Sequence, residues 1–289
     1  MGSDTLGGNV FILRQAEVGS SCNYIHDRSG IPATTEFHLH TCYEIYLFVS
    51  GQATYFIENA VYPLRPGDLF VINDQEVHKP LVLTPSDYDR IVVHFSPRLA
   101  RAFSNAEFDL ISCFVDRPKG RGNKRSLSRT QLDEILYLMN KIEQVHVAKT
   151  PESEILKLSH LLELLVHVNR LYMDVESVPD PMQLNRRVQD VIEYIDRNLE
   201  KELSLASLER EFHVDRSCLS RQFKKATGSS IHQLILHKRL SFAKQLLSQG
   251  LDVSEVCWRA GFGDYSNFVR LFTRKVGISP GKMKRDVIT

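Results

Sequence analysis

Between Glu36 and Phe95 the chain alternates short β-branched and aromatic runs with turn residues. Glu44–Val49 runs into Ser50-Gly51, Gln52–Ile57 into Glu58-Asn59, and Val61–Leu64 into Pro66-Gly67-Asp68. Leu69–Ile72 and Arg90–Phe95 complete the set. Closely spaced runs of this kind, punctuated by Gly, Pro, Asn and Asp, predict antiparallel strands in a small barrel or jelly roll.

The period then changes. Leu132, Ile135, Leu136, Met139 and Ile142 recur at helical spacing, as do Ile155, Leu158, Leu161, Leu162, Leu165 and Val168, with Pro151 between the two sets. The second stripe is broad enough to require a partner: the barrel, the preceding helix or a second subunit. A helix pair that forms a homodimer is the first expectation, an intramolecular core the second. Lys119 to Arg125, basic but without aromatics or periodicity, reads as a solvated connection rather than a nucleic-acid patch. Pro179 and Pro181 in acidic surroundings mark a linker. The expected division is 1–110 barrel, 111–173 helical packing segment, 174–183 linker and 184–289 an all-helical domain. The fold class is α+β, multidomain.

In the last segment helices are expected at Gln189–Asn198, Leu203–Glu211, Arg216–Thr227, Ile231–Leu247, Val253–Arg259 and Tyr265–Lys275, with a short one after Pro280. Two stretches repeat each other. Asp215-Arg-Ser-Cys-Leu-Ser-Arg-Gln-Phe223 and Asp264-Tyr-Ser-Asn-Phe-Val-Arg-Leu-Phe272 share Asp, Ser, Arg and Phe at one offset, and each is followed by basic residues and Gly. Each reads as a helix-turn-helix whose second helix starts at an Asp cap. Leu205, Leu208 and Phe212 supply the inner face of the first unit, Val253, Val256 and Ala260 that of the second. The outward residues are Arg216, Ser217, Ser220, Arg221 and Lys224, then Tyr265, Ser266, Asn267, Arg270 and Arg274. Arg and Asn suit guanine and adenine edges in the major groove, while the basic residues near the helix ends suit phosphates. The scaffold repeats and the reading edge does not, so the two half-sites are expected to differ.

Charge agrees with this reading. Lys and Arg total 36 against 35 Asp and Glu, but Gln183–Thr289 holds 19 basic and 12 acidic side chains. A basic C-terminal third suits a polyanion such as double-stranded promoter DNA. Five cysteines without paired spacing, no membrane-length apolar run and no signal-peptide core predict a soluble, cytoplasmic protein with reduced thiols.

A second constellation lies in the barrel: His38-Leu-His40, Glu44 and His78, with Tyr46 nearby. Three readings are open. The first is a pocket for a small polar effector such as a sugar, lined by His38, His40, Glu44, Tyr46 and His78. The second is structural packing at the barrel mouth. The third is a divalent metal held by His38, His40, Glu44 and His78. No cofactor is assigned.

Ala260-Gly-Phe-Gly-Asp-Tyr-Ser-Asn-Phe-Val-Arg-Leu-Phe272 followed by Gly277-Ile-Ser-Pro280 resembles the signature of the AraC/XylS family of bacterial transcription regulators, over about Val188 to Arg285. Met283-Lys284-Arg285 stands where the family usually has an aromatic and an arginine. The His38–Glu44 segment is similar to the cupin pattern, with departures at Pro32, where a Gly is expected, and Val82, where an Asn is expected. The resemblance implies a DNA-binding regulator, by default an activator, with RNA polymerase as a partner and a sensing barrel that does no chemistry. The competing expectation is a cupin metalloenzyme, an isomerase or dioxygenase with a helical appendage.

Overall fold

The computed structural model describes residues 21–28, 36–173, 181–182 and 184–288. Pro32 and most of the expected linker, 174–180 and 183, lie outside the described residues. The elements in chain order are β1 (Cys22–Asp27), β2 (Tyr43–Ile57), β3 (Ala60–Pro63), β4 (Asp68–Ile72), β5 (His78–Phe95), α1 (Pro97–Ala102), α2 (Ser112–Val115), β6 (Lys124–Ser126), α3 (Arg129–Ala148) and α4 (Ser153–Met173). The helical domain follows with α5 (Arg186–Arg197), α6 (Leu205–Phe212), α7 (Arg216–Thr227), α8 (Ile231–Ser248), α9 (Val253–Arg259), α10 (Tyr265–Val276) and α11 (Pro280–Ile288).

The strands form one antiparallel sheet in the order β1-β5-β2-β4-β6, with β3 paired to β2. Ser50-Gly51 does not end a strand, as the sequence suggested. It is a bulge inside the 15-residue β2, with register shifts against β5 between Phe48 and Ala53. Gly51 has φ 112°, and a Cβ there would stand 2.9 Å from the Asp87 carbonyl, so only glycine fits. The bulge bends β2 and lets the sheet curl.

Side-chain parity sorts the sheet into two faces. Tyr43, Ile45, Leu47, Leu69, Val71, Ile91, Val93 and Phe95 pack on α3 and α4 through Ile135, Leu138, Met139, Leu161, Leu164, Leu165 and Val168. The helix stripes are thus buried within the chain. Tyr46, Phe48, Tyr55, Tyr62, Phe70 and Tyr88 fill the other face, inside the curl. Ile155, read as part of the buried stripe, is instead exposed at the start of α4.

The Lys119–Arg125 segment is not a solvated connection. Asn123 and Lys124 are buried, Gly120 N donates to Glu76 Oε1 at 2.8 Å, and Arg117 pairs with Glu76 at 2.7 Å. The glutamate draws the basic loop inward, and β6 forms there on β4. At the far side of the linker Met182 N donates to Val61 O at 2.7 Å, which ties the chain to β3 before the helical domain starts.

The helical domain packs on the sheet domain through a shared core of Phe37, Leu39, Phe56, Val61 and Val77 with the α5–α10 cluster. One face of α8 carries the polar part of this contact. Lys238, buried, pairs with Glu58 and Asp196; Lys244, buried, pairs with Asp74 at 3.2 Å; Ser241 Oγ donates to Gln75 O at 2.5 Å. Two buried lysines are tolerated here because each meets a carboxylate.

Candidate DNA interface and sensor centre

Each helix-turn-helix unit is built by local capping. In the first, Ser204 and Ser207 close a capping box on α6, and His213 turns the chain at φ 51°. The Asp215 carboxylate then accepts from Ser217 N and Cys218 N, both at 3.0 Å, which starts α7. Leu219 and Phe223 are buried, and Gly228 ends the helix in the left-handed region. In the second, Asp264 accepts from Asn267 N at 2.5 Å, Phe268 and Phe272 are buried, and Gly277 ends α10 at φ 90°.

Of the predicted DNA contacts, Arg216, Ser217, Arg221, Lys224, Tyr265, Ser266, Asn267, Arg270 and Arg274 are exposed on α7 and α10, while Ser220 is half-buried. Arg270 Nη2 donates to Asn267 Oδ1 at 3.0 Å, so these two exposed side chains hold each other in register on one face of α10. Leu205, expected on the inner face of α6, is 39% exposed; Leu208 carries that packing. The reason is position: Leu205 is the first residue of α6, before the helix meets its neighbours.

In the sheet domain the structure gathers His38, His40, Glu44 and His78, and adds His94, which the sequence reading missed. Glu44 on β2 and His94 on β5 are cross-strand partners inside the curl. Glu44 Oε2 lies 2.8 Å from His94 Nε2, 3.1 Å from His40 Nε2 and 3.7 Å from His78 Nε2. Tyr55 OH donates to Glu44 Oε1 at 2.8 Å. Tyr46 stands behind this group: its ring stacks on Tyr55 at 4.6 Å and its hydroxyl bonds that of Tyr88 at 2.9 Å. The His38 ring lies edge-on to His78 at 4.3 Å, with Nδ1 donating to Glu36 O at 3.1 Å.

Burial alone would raise the Glu44 carboxyl, but its hydrogen bonds with His40 and His94 and the nearby His78 hold it well below its ordinary value. Burial likewise disfavours charge on His40, yet Cys42 and Glu44 outweigh it and push His40 up to about 10. His94 is held neutral by burial. The donor set fits a divalent metal by its chemistry. Ligand atoms of His40, Glu44 and His78 lie within 4.8 Å of one another, and His78 Nε2 is buried with no hydrogen-bond partner. His40, Cys42 and His94 form a second such group.

A polar cleft of about 570 Å³ opens elsewhere, between the two domains, lined by residues that include Glu58, Asn59, Lys119, Asp196, Lys238 and Gln245.

Residues 28–165 match the AraC-like ligand binding domain, and residues 208–286 match a helix-turn-helix domain. The chain is 25% identical over 251 residues to the uncharacterized HTH-type transcriptional regulator YfiF of Bacillus subtilis, covering 86% of this chain and 78% of that one. It is 22% identical to the HTH-type transcriptional activator RhaS of Pectobacterium carotovorum, covering 87% and 88%. It is also 22% identical to the lactose operon transcription activator of Staphylococcus xylosus, covering 83% and 82%. With a ligand-binding sheet domain in front of two helix-turn-helix units that carry the Asp caps and outward arginines, the chain belongs to the AraC family of DNA-binding transcription regulators.

Proposed function

We propose that the sheet domain senses a small ligand and sets how the two helix-turn-helix units address promoter DNA. One observation carries this. Helix α8 joins the units and is also docked on the sheet domain, where Lys244 Nζ donates to the His40 carbonyl at 2.7 Å, one residue's backbone away from the Glu44 cluster. A change at that cluster therefore has a direct mechanical neighbour in the DNA-binding domain. His38, His40, Glu44, Tyr46 and His78, with His94 added, form the sensing centre.

The name of the lactose operon activator among the relatives supports a carbohydrate as organic effector. The interdomain cleft, with carboxylates, amides and lysines side by side, offers hydroxyl groups both donors and acceptors. The names of the activators support a role in promoting transcription, with RNA polymerase as partner, and we assign no catalytic residue. Val147, Ile155 and Leu156, exposed around the α3–α4 turn, are apolar enough to support homodimerisation. The test is a footprint of the full chain on the promoters beside its own gene, with and without sugars. Salt-sensitive, sequence-selective protection that shifts with ligand is expected; protection that ignores every ligand overturns the sensor reading.

A further inference from the structure

We infer that Arg239 is the positioning residue that holds the two helix-turn-helix units at one fixed separation, by locking the turn before α6 against the turn before α10. This rests on the reading of both units as DNA-contacting. The joint between the units carries the argument. Helix α8 ends at Ser248, and the chain turns through Gln249 and Gly250 towards α9. Gly250 has φ 86°, and a Cβ there would meet nothing within 4 Å. That side of the turn is open, so the turn is a pivot rather than a brace. Leu246, Leu247, Val256 and Cys257 share one apolar core across it, but burial is non-directional and sets no angle by itself.

The angle is set further up α8. Arg239 Nε donates to Leu199 O at 3.1 Å and Nη2 to Lys201 O at 2.7 Å, so one guanidinium spans the turn that leads from α5 into α6. Gly261, in the turn between α9 and α10, lies against the same groups. A Cβ there would stand 2.2 Å from Leu199 O and 2.7 Å from Arg239 Nε. Three segments meet at this point: the entry to the first unit, the helix between the units and the turn of the second. About 14 Å of helix separates Arg239 from the end of α8. A directional contact that far from a pivot limits the swing more tightly than one beside it. Arginine suits the place because its planar fork meets two carbonyls at once, whereas a lysine ammonium is a point donor. The two reading helices must enter grooves roughly 34 Å apart, so an error in the swing misplaces one helix even when both units are intact.

The experiment lets full-length wild type, Arg239→Ala and Arg239→Lys each select from a pool of duplexes with about 30 random base pairs, wide enough for two half-sites one turn apart. Urea unfolding checks that each variant is folded. Wild type should return two half-site motifs at a single spacing. Arg239→Ala should return the same motifs with the spacing spread over about two base pairs or more, and Arg239→Lys should fall between. On a duplex with the wild-type spacing the alanine variant should lose at least about ten-fold in affinity, and on a duplex with one half-site no more than about two-fold. A folded variant that keeps the single spacing overturns the inference. Equal loss on both duplexes also overturns it, because a residue that supports only the fold would weaken both alike. If Arg239→Ala does not fold, the lysine variant decides by the same criteria. A wild type that returns one motif overturns the two-unit reading, and this inference with it; two motifs at loose spacing overturn this inference alone.

Discussion

The two helix-turn-helix units share a scaffold but not a setting. The first is braced by the sheet domain. A Cβ at Gly228, at the end of α7, would stand 2.9 Å from the Leu81 side chain and 3.1 Å from Lys79 Nζ, and Lys79 donates to Ser229 Oγ at 2.8 Å. The second stands further out. Gly263 and Gly281 beside α10 have no such neighbour within 4 Å, and the unit's approach to the sheet domain is a Lys275–Glu36 pair at 4.0 Å. The repeat therefore hides an asymmetry: the first unit packs directly against the sheet domain at the end of α7, while the second meets it at the Lys275–Glu36 pair.

The largest test of the shared scaffold is Phe223→Ala against Phe272→Ala. Both rings are fully buried, so each change should cost about 3–5 kcal/mol in urea unfolding. A much smaller cost for one would break the equivalence of the units. Next comes the helix between them. Burial drives His237 on α8 down to about 4, against an ordinary 6.5. A depressed folded value contributes stability that is present above 6.5 and lost as pH falls towards 4. Between pH 7.5 and 5 the wild type should lose roughly 2 kcal/mol more than His237→Gln.

Base reading follows. Arg221→Ala and Arg270→Ala should each weaken operator binding by about 1–3 kcal/mol and relax specificity at different base pairs in a gel-shift series. Uniform loss on every sequence would make either arginine a phosphate contact. Smallest are the caps. Asp215 bonds two backbone N–H groups and Asp264 one, so Asp215→Ala should lower the thermal midpoint more than Asp264→Ala, each at about 1 kcal/mol.

The helical domain was legible because its signals are local: Asp caps on α7 and α10, glycines just after α7, α8, α9 and α10, and apolar residues at helical spacing fix it within a few residues. The sheet domain was less so. Ser50-Gly51 has turn composition, and only the pairing of β2 with the long β5 makes it a bulge. His94 sits in Val-Val-His-Phe, a run that reads as core. Parity with Val92 and the register opposite Glu44 place it in the curl, and register is not a local property. Lys238 and Lys244 look like the solvated side of α8, because their partners Glu58, Asp196 and Asp74 are remote in sequence. Glu76 pulled the 119–125 loop inward for the same reason.

The bond from Lys244 to the His40 carbonyl has a thermodynamic corollary. Coupling between two sites is symmetric: if occupancy of the sheet domain changes operator affinity by some factor, operator binding changes ligand affinity by that same factor. The concentration at which this protein responds is then a property of the promoter as much as of the chain. Two promoters of different strength would set two different thresholds for one signal.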